Sequence, residues 1–219
     1  MVQPHIHLSE ELGVKYAILP GDPGRVTHIK EFLDNAEEVT FNREYRSAVG
    51  TYKGVKVLAL STGMGGVSVG IALEELHNIG VEAVIRIGSA GALQEGIRIG
   101  DLILCEGAVR EDGTSKTYVK TAYPAVADAE FLVRAAVALV IVNGGGYEAV
   151  ALYFDVVAVK GLGDEQGIVC APGGGVQAGG IDFLQDGQRT VRVIQHQRVS
   201  AFECAVRFLV EGARKQKDR

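Results

Sequence analysis

Three glycine-rich turns, each directly after a short apolar segment, constrain the fold of this chain most strongly. They are PGDPGR at 20–25, STGMGG at 61–66 and IGSAG at 87–91. The apolar segments are typical of buried strands, and helical periodicity follows the first two turns. Strands alternating with helices predict an α/β fold with a largely parallel or mixed sheet, whose ligands bind at the carboxyl ends of the strands.

Periodicity and turn residues locate the individual elements. The expected order is a strand at 16–19, a helix over 25–36, a hairpin with its turn at 52–56 and a buried strand at 55–60, an amphipathic helix ending near Gly80, strands within 83–91 and 97–110, and a terminal helix over 200–219. The segment 144–187 contains twelve glycines and no clear periodicity, so no element is predicted there.

Composition excludes several classes of protein. The net charge is −5 with no block of like charges, which argues against a nucleic-acid-binding face. The three cysteines, Cys105, Cys170 and Cys204, are too far apart for a zinc site or a disulfide framework and suit a reducing cytoplasm. The N-terminus does not resemble a signal peptide, and the longest apolar run, 135–142, is shorter than the roughly 20 residues of a membrane span. A cytoplasmic protein with neither membrane nor nucleic-acid partners is expected.

The glycine-rich turns predict an anion site. Glycine lets backbone N–H groups approach an anion closely, and a following helix adds its positive N-terminal end. No turn continues into GK[ST], which excludes a Walker P-loop. None is a clean GxGxxG with an acidic residue about 20 residues further on, so a dinucleotide-dependent oxidoreductase is disfavoured.

Arg86 raises a specific question because it interrupts the apolar strand AVIRIG. A guanidinium keeps its charge, and burying it without a partner costs several kcal/mol. Its long side chain can reach the strand end, where Arg25 and Ser89 would complete a site for phosphate. The alternative is that Arg25 is a surface residue and Arg86 pairs with a carboxylate such as Glu44 or Asp101.

The motifs together resemble a known family. PGDPGR, NREYRS, STGMGG, LEEL, IRIGSAGAL, IGD and YPAVAD occur in the order and spacing of nucleoside phosphorylases of the uridine phosphorylase and hexameric purine nucleoside phosphorylase type. The similarity covers roughly residues 5–130, and PAVAD with RIGSAG is most similar to the uridine phosphorylase branch. It implies one domain over 1–219, with a mixed, partly barrel-like sheet flanked by helices.

The resemblance also implies an activity, the phosphorolysis of a nucleoside to free base and ribose 1-phosphate, with uridine favoured. Such a pentosyltransferase uses inorganic phosphate as co-substrate and needs no cofactor. Purine nucleoside phosphorylase is one alternative, and a non-catalytic nucleoside- or phosphate-binding relative is another. His7 and Arg43 would complete a neighbour's site, which implies at least a homodimer and, from the family, a hexamer built of dimers.

Site residues follow position by position from the resemblance. The phosphate ligands are Gly21, Arg25, Arg43, Arg86 and Ser89, with Arg86 also the catalytic residue. The ribose contacts are His7, which would reach the 5′-hydroxyl, Met64 and Ser89, and the base contacts are Ala90 and Gly91. Glu44 and Ser68 match a monovalent-cation site, potassium for instance, and no other metal is implied.

The second half of the chain departs from the family pattern. The Glu-Met-Glu segment that holds the ribose hydroxyls is absent, because Met1 and Met64 are the only methionines. Residues about 135–195 match poorly, either through divergence of the base and ribose pocket or because a frameshift or misassignment altered the sequence there. The residues that would distinguish uridine, thymidine and purine nucleosides fall in this region, so uridine is favoured by the family resemblance alone.

Overall fold

The computed structural model describes residues 1–89, 102–105, 107–129, 132–133, 152–158 and 192–194. The predicted terminal helix over 200–219 lies outside these ranges, and the single domain over 1–219 stays a prediction. None of the helices in the described ranges has the length and apolar character needed to span a membrane.

In the first 89 residues one helix follows the first strand, three consecutive strands come next, and a second helix precedes the fifth strand. The strands are β1 (Tyr16–Pro20), β2 (Asp34–Asn42), β3 (Tyr45–Tyr52), β4 (Val55–Leu60), β5 (Ala83–Ser89), β6 (Leu102–Leu104), β7 (Gly107–Ala108), β8 (Ala125–Val126), β9 (Leu152–Ala158) and β10 (Arg192–Ile194). The helices are α1 (Gly24–Lys30), α2 (Gly66–Asn78) and α3 (Ser115–Tyr118), and a 3₁₀ turn covers Glu10–Leu12.

Eight of the described strands form one mixed sheet in the order β10-β6-β9-β5-β1-β4-β3-β2. The strand β1 lies between β4 and β5 and is parallel to both, while β2 and β3 add antiparallel pairs at one side. The register pairs Ile18 with Ala59 and Leu19 with Arg86. The first two glycine-rich turns and the Ser89 end of β5 therefore lie at the same edge of the sheet. Of the turn predicted at 87–91, residues 87–89 belong to β5, and Ala90 and Gly91 lie outside the described residues. The predicted α/β class with a mixed sheet is confirmed.

Helix α2 packs one face against the sheet, as the apolar spacing predicts. Val69, Ala72, Leu73 and Leu76 are buried in a core cluster with residues of β1, β3 and β4. The helix ends where predicted, because the residue after its C-cap is Gly80, with φ of +88°. The Gly80 N–H donates to the His77 carbonyl at 2.9 Å, which closes the last turn.

The helix predicted over 25–36 is too long. Helix α1 ends at Lys30. The Phe32 N–H donates to the Ile29 carbonyl and the Leu33 N–H to the Lys30 carbonyl, so the chain forms turns there before β2 begins at Asp34. The apolar residues at 26, 29, 32 and 33 do have helical spacing. Pairing of β2 with β3 overrides that spacing, because tertiary contacts outweigh weak local propensity.

Gly50 on β3 marks a close approach that a larger side chain should disturb. A Cβ there would lie 2.7 Å from the Leu33 Cβ and 3.1 Å from the Asp34 carbonyl oxygen. We expect Gly50→Ala to lower the free energy of unfolding by about 1–3 kcal/mol, because the backbone must shift to relieve the overlap. Gly113→Ala is the matched control, since no atom lies within 4 Å of its added Cβ. Equal unfolding free energies of the two variants in denaturant titrations would contradict the prediction.

Candidate active site

The first two glycine-rich turns are joined by their backbones beside Arg86. The Thr62 N–H donates to the Pro20 carbonyl and the Gly63 N–H to the Gly21 carbonyl, both at 2.9 Å. A Cβ added at Gly21 would lie 3.3 Å from the Gly63 carbonyl oxygen and 3.6 Å from Arg86 Nη2. Glycine at position 21 therefore keeps the space between the turn and the guanidinium free of a side chain.

Arg25 and Ser89 meet at the end of β5. The Nη2 of Arg25, in the first turn of α1, donates to Ser89 Oγ at 3.0 Å. The PGDPGR turn is shaped by Asp22, whose carboxylate accepts the Gly24 N–H at 2.8 Å. The structure thus brings Arg25 and Ser89 to the strand end that carries Arg86.

Arg86 is half-buried, and its Nε is fully buried without a hydrogen-bond partner among the described residues. Within the same residues it forms no ion pair, so pairing with Glu44 is not observed, and Asp101 lies outside them. The backbone register places Asp155 of β9 opposite Arg86. A buried guanidinium donor without a partner costs about 1–3 kcal/mol, which an anion at this strand end would offset.

The two arginines of NREYRS have different surroundings. Arg46 is partly buried, and its Nη1 donates to the Pro23 carbonyl at 3.3 Å and to Thr27 Oγ1 at 3.1 Å, which ties β3 to α1. Arg43 is exposed on the two-residue turn between β2 and β3, with a left-handed φ of 56°. Non-glycine residues adopt this conformation at a cost, and such residues cluster at functional sites.

The turn that carries Glu44 packs on STGMGG. The Ser61 hydroxyl donates to the Glu44 carbonyl at 2.5 Å, and a Cβ at Gly63 would lie 2.9 Å from the Glu44 Cβ. The Tyr45 hydroxyl donates to the Ser68 carbonyl at 2.9 Å. Burial, followed by the nearby carboxylates of Glu44 and Glu75, raises the pKa of Tyr45 to about 12, so this phenol stays protonated. Cation binding by Glu44 and Ser68 stays a prediction.

The described residues that were predicted to contact ribose, apart from Ser89, lie on two separate segments. Met64 directly follows Gly63 and is 93% exposed. His7 is exposed on the N-terminal segment, with a left-handed φ of 54°. Ala90 and Gly91 lie outside the described residues.

Two residues that support these segments were not predicted. Asn42 Nδ2 donates to the His5 carbonyl at 2.8 Å, and Glu75 Oε2 accepts the Ile6 N–H at 2.8 Å. The sequence contains one signal for Glu75, because the helical periodicity that buries Ala72 and Leu76 also buries position 75. A carboxylate on a buried helix face needs donors from elsewhere in the fold.

Comparison with known proteins decides the family. The family model of the phosphorylase superfamily matches residues 15–172. This range includes β1, β5 and the glycine-rich turns PGDPGR and STGMGG. The chain belongs to the phosphorylase superfamily. The match extends into the glycine-rich part of the chain, and the resemblance of the motifs to nucleoside phosphorylases is confirmed.

Proteins similar to this superfamily member include nucleoside phosphorylases. A uridine phosphorylase of Thermococcus kodakarensis is 53% identical over 129 residues, which are 59% of this chain and 47% of the relative. A guanosine phosphorylase of Halorubrum lacusprofundi is 45% identical over 130 residues, 59% of this chain and 54% of the relative. The crystal structure of a Vibrio fischeri uridine phosphorylase is 43% identical with a TM-score of 0.61, covering 69% of this chain and 60% of that one. The chain spans about half the length of the curated relatives it matches.

Proposed function

We propose that this protein catalyses the phosphorolysis of a nucleoside, with uridine as the preferred substrate. The observation that carries the proposal is the convergence of Gly21, Arg25, Arg86 and Ser89 at one edge of the sheet. Two guanidinium groups, a hydroxyl and the space that Gly21 leaves beside Arg86 suit a phosphate dianion. The superfamily match and the uridine phosphorylase relatives favour a nucleoside as the second substrate.

The proposed chemistry is a displacement at the anomeric carbon of the ribose. A phosphate oxygen forms the new bond to this carbon while the glycosidic C–N bond breaks, and the bonding electron pair leaves with the base, which is then protonated. The transition state has oxocarbenium character, so an anion held beside the ribose stabilises the developing positive charge. Arg25 and Arg86 would orient the phosphate, and correct positioning of the two reactants supplies much of the rate enhancement.

Arg43 and His7 are proposed to act on the site of a neighbouring subunit. Both side chains are exposed, and both backbones are left-handed at non-glycine residues. Such conformations persist where the surrounding structure fixes them, often at functional sites. Together with the family resemblance, this supports a homodimer with reciprocally completed sites, assembled into a hexamer, with a monovalent cation at Glu44 and Ser68.

The cellular role follows from the proposed reaction. Release of uracil and ribose 1-phosphate suits pyrimidine salvage in the cytoplasm, and the widely separated Cys105, Cys170 and Cys204 suit a reducing compartment. A purine nucleoside is the second candidate substrate, because a guanosine phosphorylase and a Plasmodium vivax purine nucleoside phosphorylase are also similar to this chain.

The decisive experiment measures turnover by the full chain with and without inorganic phosphate. We expect uridine consumption only with phosphate, with ribose 1-phosphate formed in equal amount to uracil. A panel of uridine, thymidine, inosine and adenosine should give the highest kcat/KM for uridine, and a higher value for inosine would favour the purine alternative. Equal turnover without phosphate would indicate a hydrolase. Calorimetric binding of phosphate without turnover would indicate a non-catalytic relative.

A further inference from the structure

The N-terminal loop, residues 3–8, is a closed structure that presents one histidine outward. The Gln3 N–H donates to the Leu8 carbonyl at 2.8 Å, and the His7 N–H donates to the Gln3 carbonyl at 3.1 Å. Ile6 and Leu8 are inserted into the core, with 0% and 2% exposure. His7 lies between these two buried residues and is itself exposed, so its direction is set by what holds its neighbours.

Glu75 holds the N-terminal loop from the last turn of α2. Its side chain is 7% exposed, and its Oε2 accepts the N–H groups of Ile6 at 2.8 Å and His5 at 3.1 Å. Its Oε1 lies 2.5 Å from His5 Nδ1 and 3.2 Å from the His5 backbone nitrogen. All the donors described for this carboxylate belong to the N-terminal loop. Charge-assisted bonds of this kind offset the cost of burying the carboxylate.

His5 also joins the N-terminal loop to the turn that carries Arg43. Its carbonyl accepts the Nδ2 of Asn42 at 2.8 Å, and Asn42 is the last residue of β2, directly before Arg43. His5 is therefore fixed on one side by Glu75 and on the other by the β2–β3 turn. His7 and Arg43, both left-handed, are thus linked through His5 and Asn42.

We propose that Glu75 is a positioning residue of the active site, which acts through His5 to set the direction of His7. The proposal rests on the proposed function, in which His7 contacts the ribose 5′-hydroxyl in a neighbouring subunit. Glu75 touches neither substrate nor reacting atoms. Its contribution is to hold the backbone on the N-terminal side of His7, so that the left-handed conformation of this residue is maintained.

A substrate without the 5′-hydroxyl separates positioning from general stabilisation. In the wild type, kcat/KM for uridine should exceed that for 5′-deoxyuridine by about tenfold to a hundredfold, the effect of one hydrogen bond with its desolvated partner. His7→Ala should reduce this ratio towards one. If Glu75 directs His7, Glu75→Gln should also reduce the ratio, because its amide nitrogen cannot accept the loop donors that the carboxylate binds. A purely structural role would lower both rates together and preserve the ratio.

Glu74→Gln is the matched control, since it makes the same chemical change at the adjacent, half-buried position of α2. We expect the wild-type ratio in Glu74→Gln and a ratio near that of His7→Ala in Glu75→Gln. If Glu75→Gln does not fold, His5→Ala provides the test, because the His5 side chain is 41% exposed and its loss removes one contact to the carboxylate. That variant should give an intermediate ratio.

The outcomes distinguish this inference from the proposed function. An active wild type with a high ratio that Glu75→Gln and His5→Ala leave unchanged would overturn the positioning role alone. Equal rates of the wild type on uridine and 5′-deoxyuridine would overturn the role of His7 and, with it, that of Glu75. A wild type with no phosphate-dependent turnover of either substrate would overturn the proposed function and the inference together.

Discussion

Replacing Arg86 by Met should abolish most phosphate-dependent turnover and leave the chain at least as stable as the wild type. We expect kcat/KM for phosphate to fall by about 10²–10³-fold, as when one preorganised donor to a reacting anion is removed. Stability should not fall, because the buried Nε of Arg86 has no hydrogen-bond partner among the described residues. Removing such a donor eliminates a desolvation cost of about 1–3 kcal/mol.

Phosphate-induced stabilisation provides a measurement that does not depend on turnover. A ligand that binds only the folded state raises the melting temperature, so phosphate should stabilise the wild type and leave Arg86→Met unchanged. Arg86→Lys is the control that keeps the charge and loses the planar fork, and it should retain part of both effects. A loss of about 3–5 kcal/mol of stability in Arg86→Met would instead indicate that Arg86 forms a structural ion pair.

Much of the fold of the first 89 residues could be predicted from sequence. The strands β1 and β4 and the helix end at Gly80 were predicted within a residue or two, because buried parallel strands have continuous apolar segments and glycine favours the left-handed conformation that closes a helix. The hairpin between β3 and β4, with its turn at YKGVK, was also predicted, and Lys53 and Gly54 in that turn both have positive φ.

Strand β2 shows where local pattern fails. Its burial does not alternate, and most of its residues are exposed, so the sequence carries no period-two signal. The pairing with β3 is interrupted by register shifts, which further obscure the pattern. The helical spacing of the preceding residues therefore predicts a helix that extends to residue 36, six residues beyond the end of α1 at Lys30.

The proximity of the candidate site residues was predicted as far as strand topology determines it. Parallel strands end at one edge of a sheet, which is why Gly21, Arg25, Arg86 and Ser89 could be expected together. Glu75 could not be placed, because its partners lie about 70 residues away in sequence and are mostly backbone N–H groups. A backbone N–H donor can belong to almost any residue type, so the sequence does not show which residues bind Glu75. The only indication of a contact was an acidic residue on the buried face of a helix.

Replacing Arg43 by Gly should stabilise the fold and, at the same time, remove most of the activity. Arg43 is the first residue of a two-residue hairpin turn and has φ of 56°, where glycine is favoured. Relief of this backbone cost should raise the free energy of unfolding by about 1 kcal/mol. If Arg43 contacts phosphate as proposed, loss of its guanidinium should lower kcat/KM by roughly 10²-fold. Lys53→Gly is the matched control, because Lys53 has φ of 50° in the next hairpin and should show the stability gain without the activity loss.

Mixing two inactive variants tests whether Arg43 acts on the neighbouring subunit. In an oligomer of Arg43→Gly and Arg86→Met chains, a site formed by Arg86 of the first chain and Arg43 of the second is intact. Co-expression should therefore restore about a quarter of the wild-type sites in randomly paired, two-fold symmetric dimers. If Arg43 served the site of its own chain, every site in the mixture would lack one arginine and no activity would return. Wild-type kinetics of Arg43→Gly alone would contradict any role in phosphate binding, because the substitution leaves no side chain to replace the guanidinium.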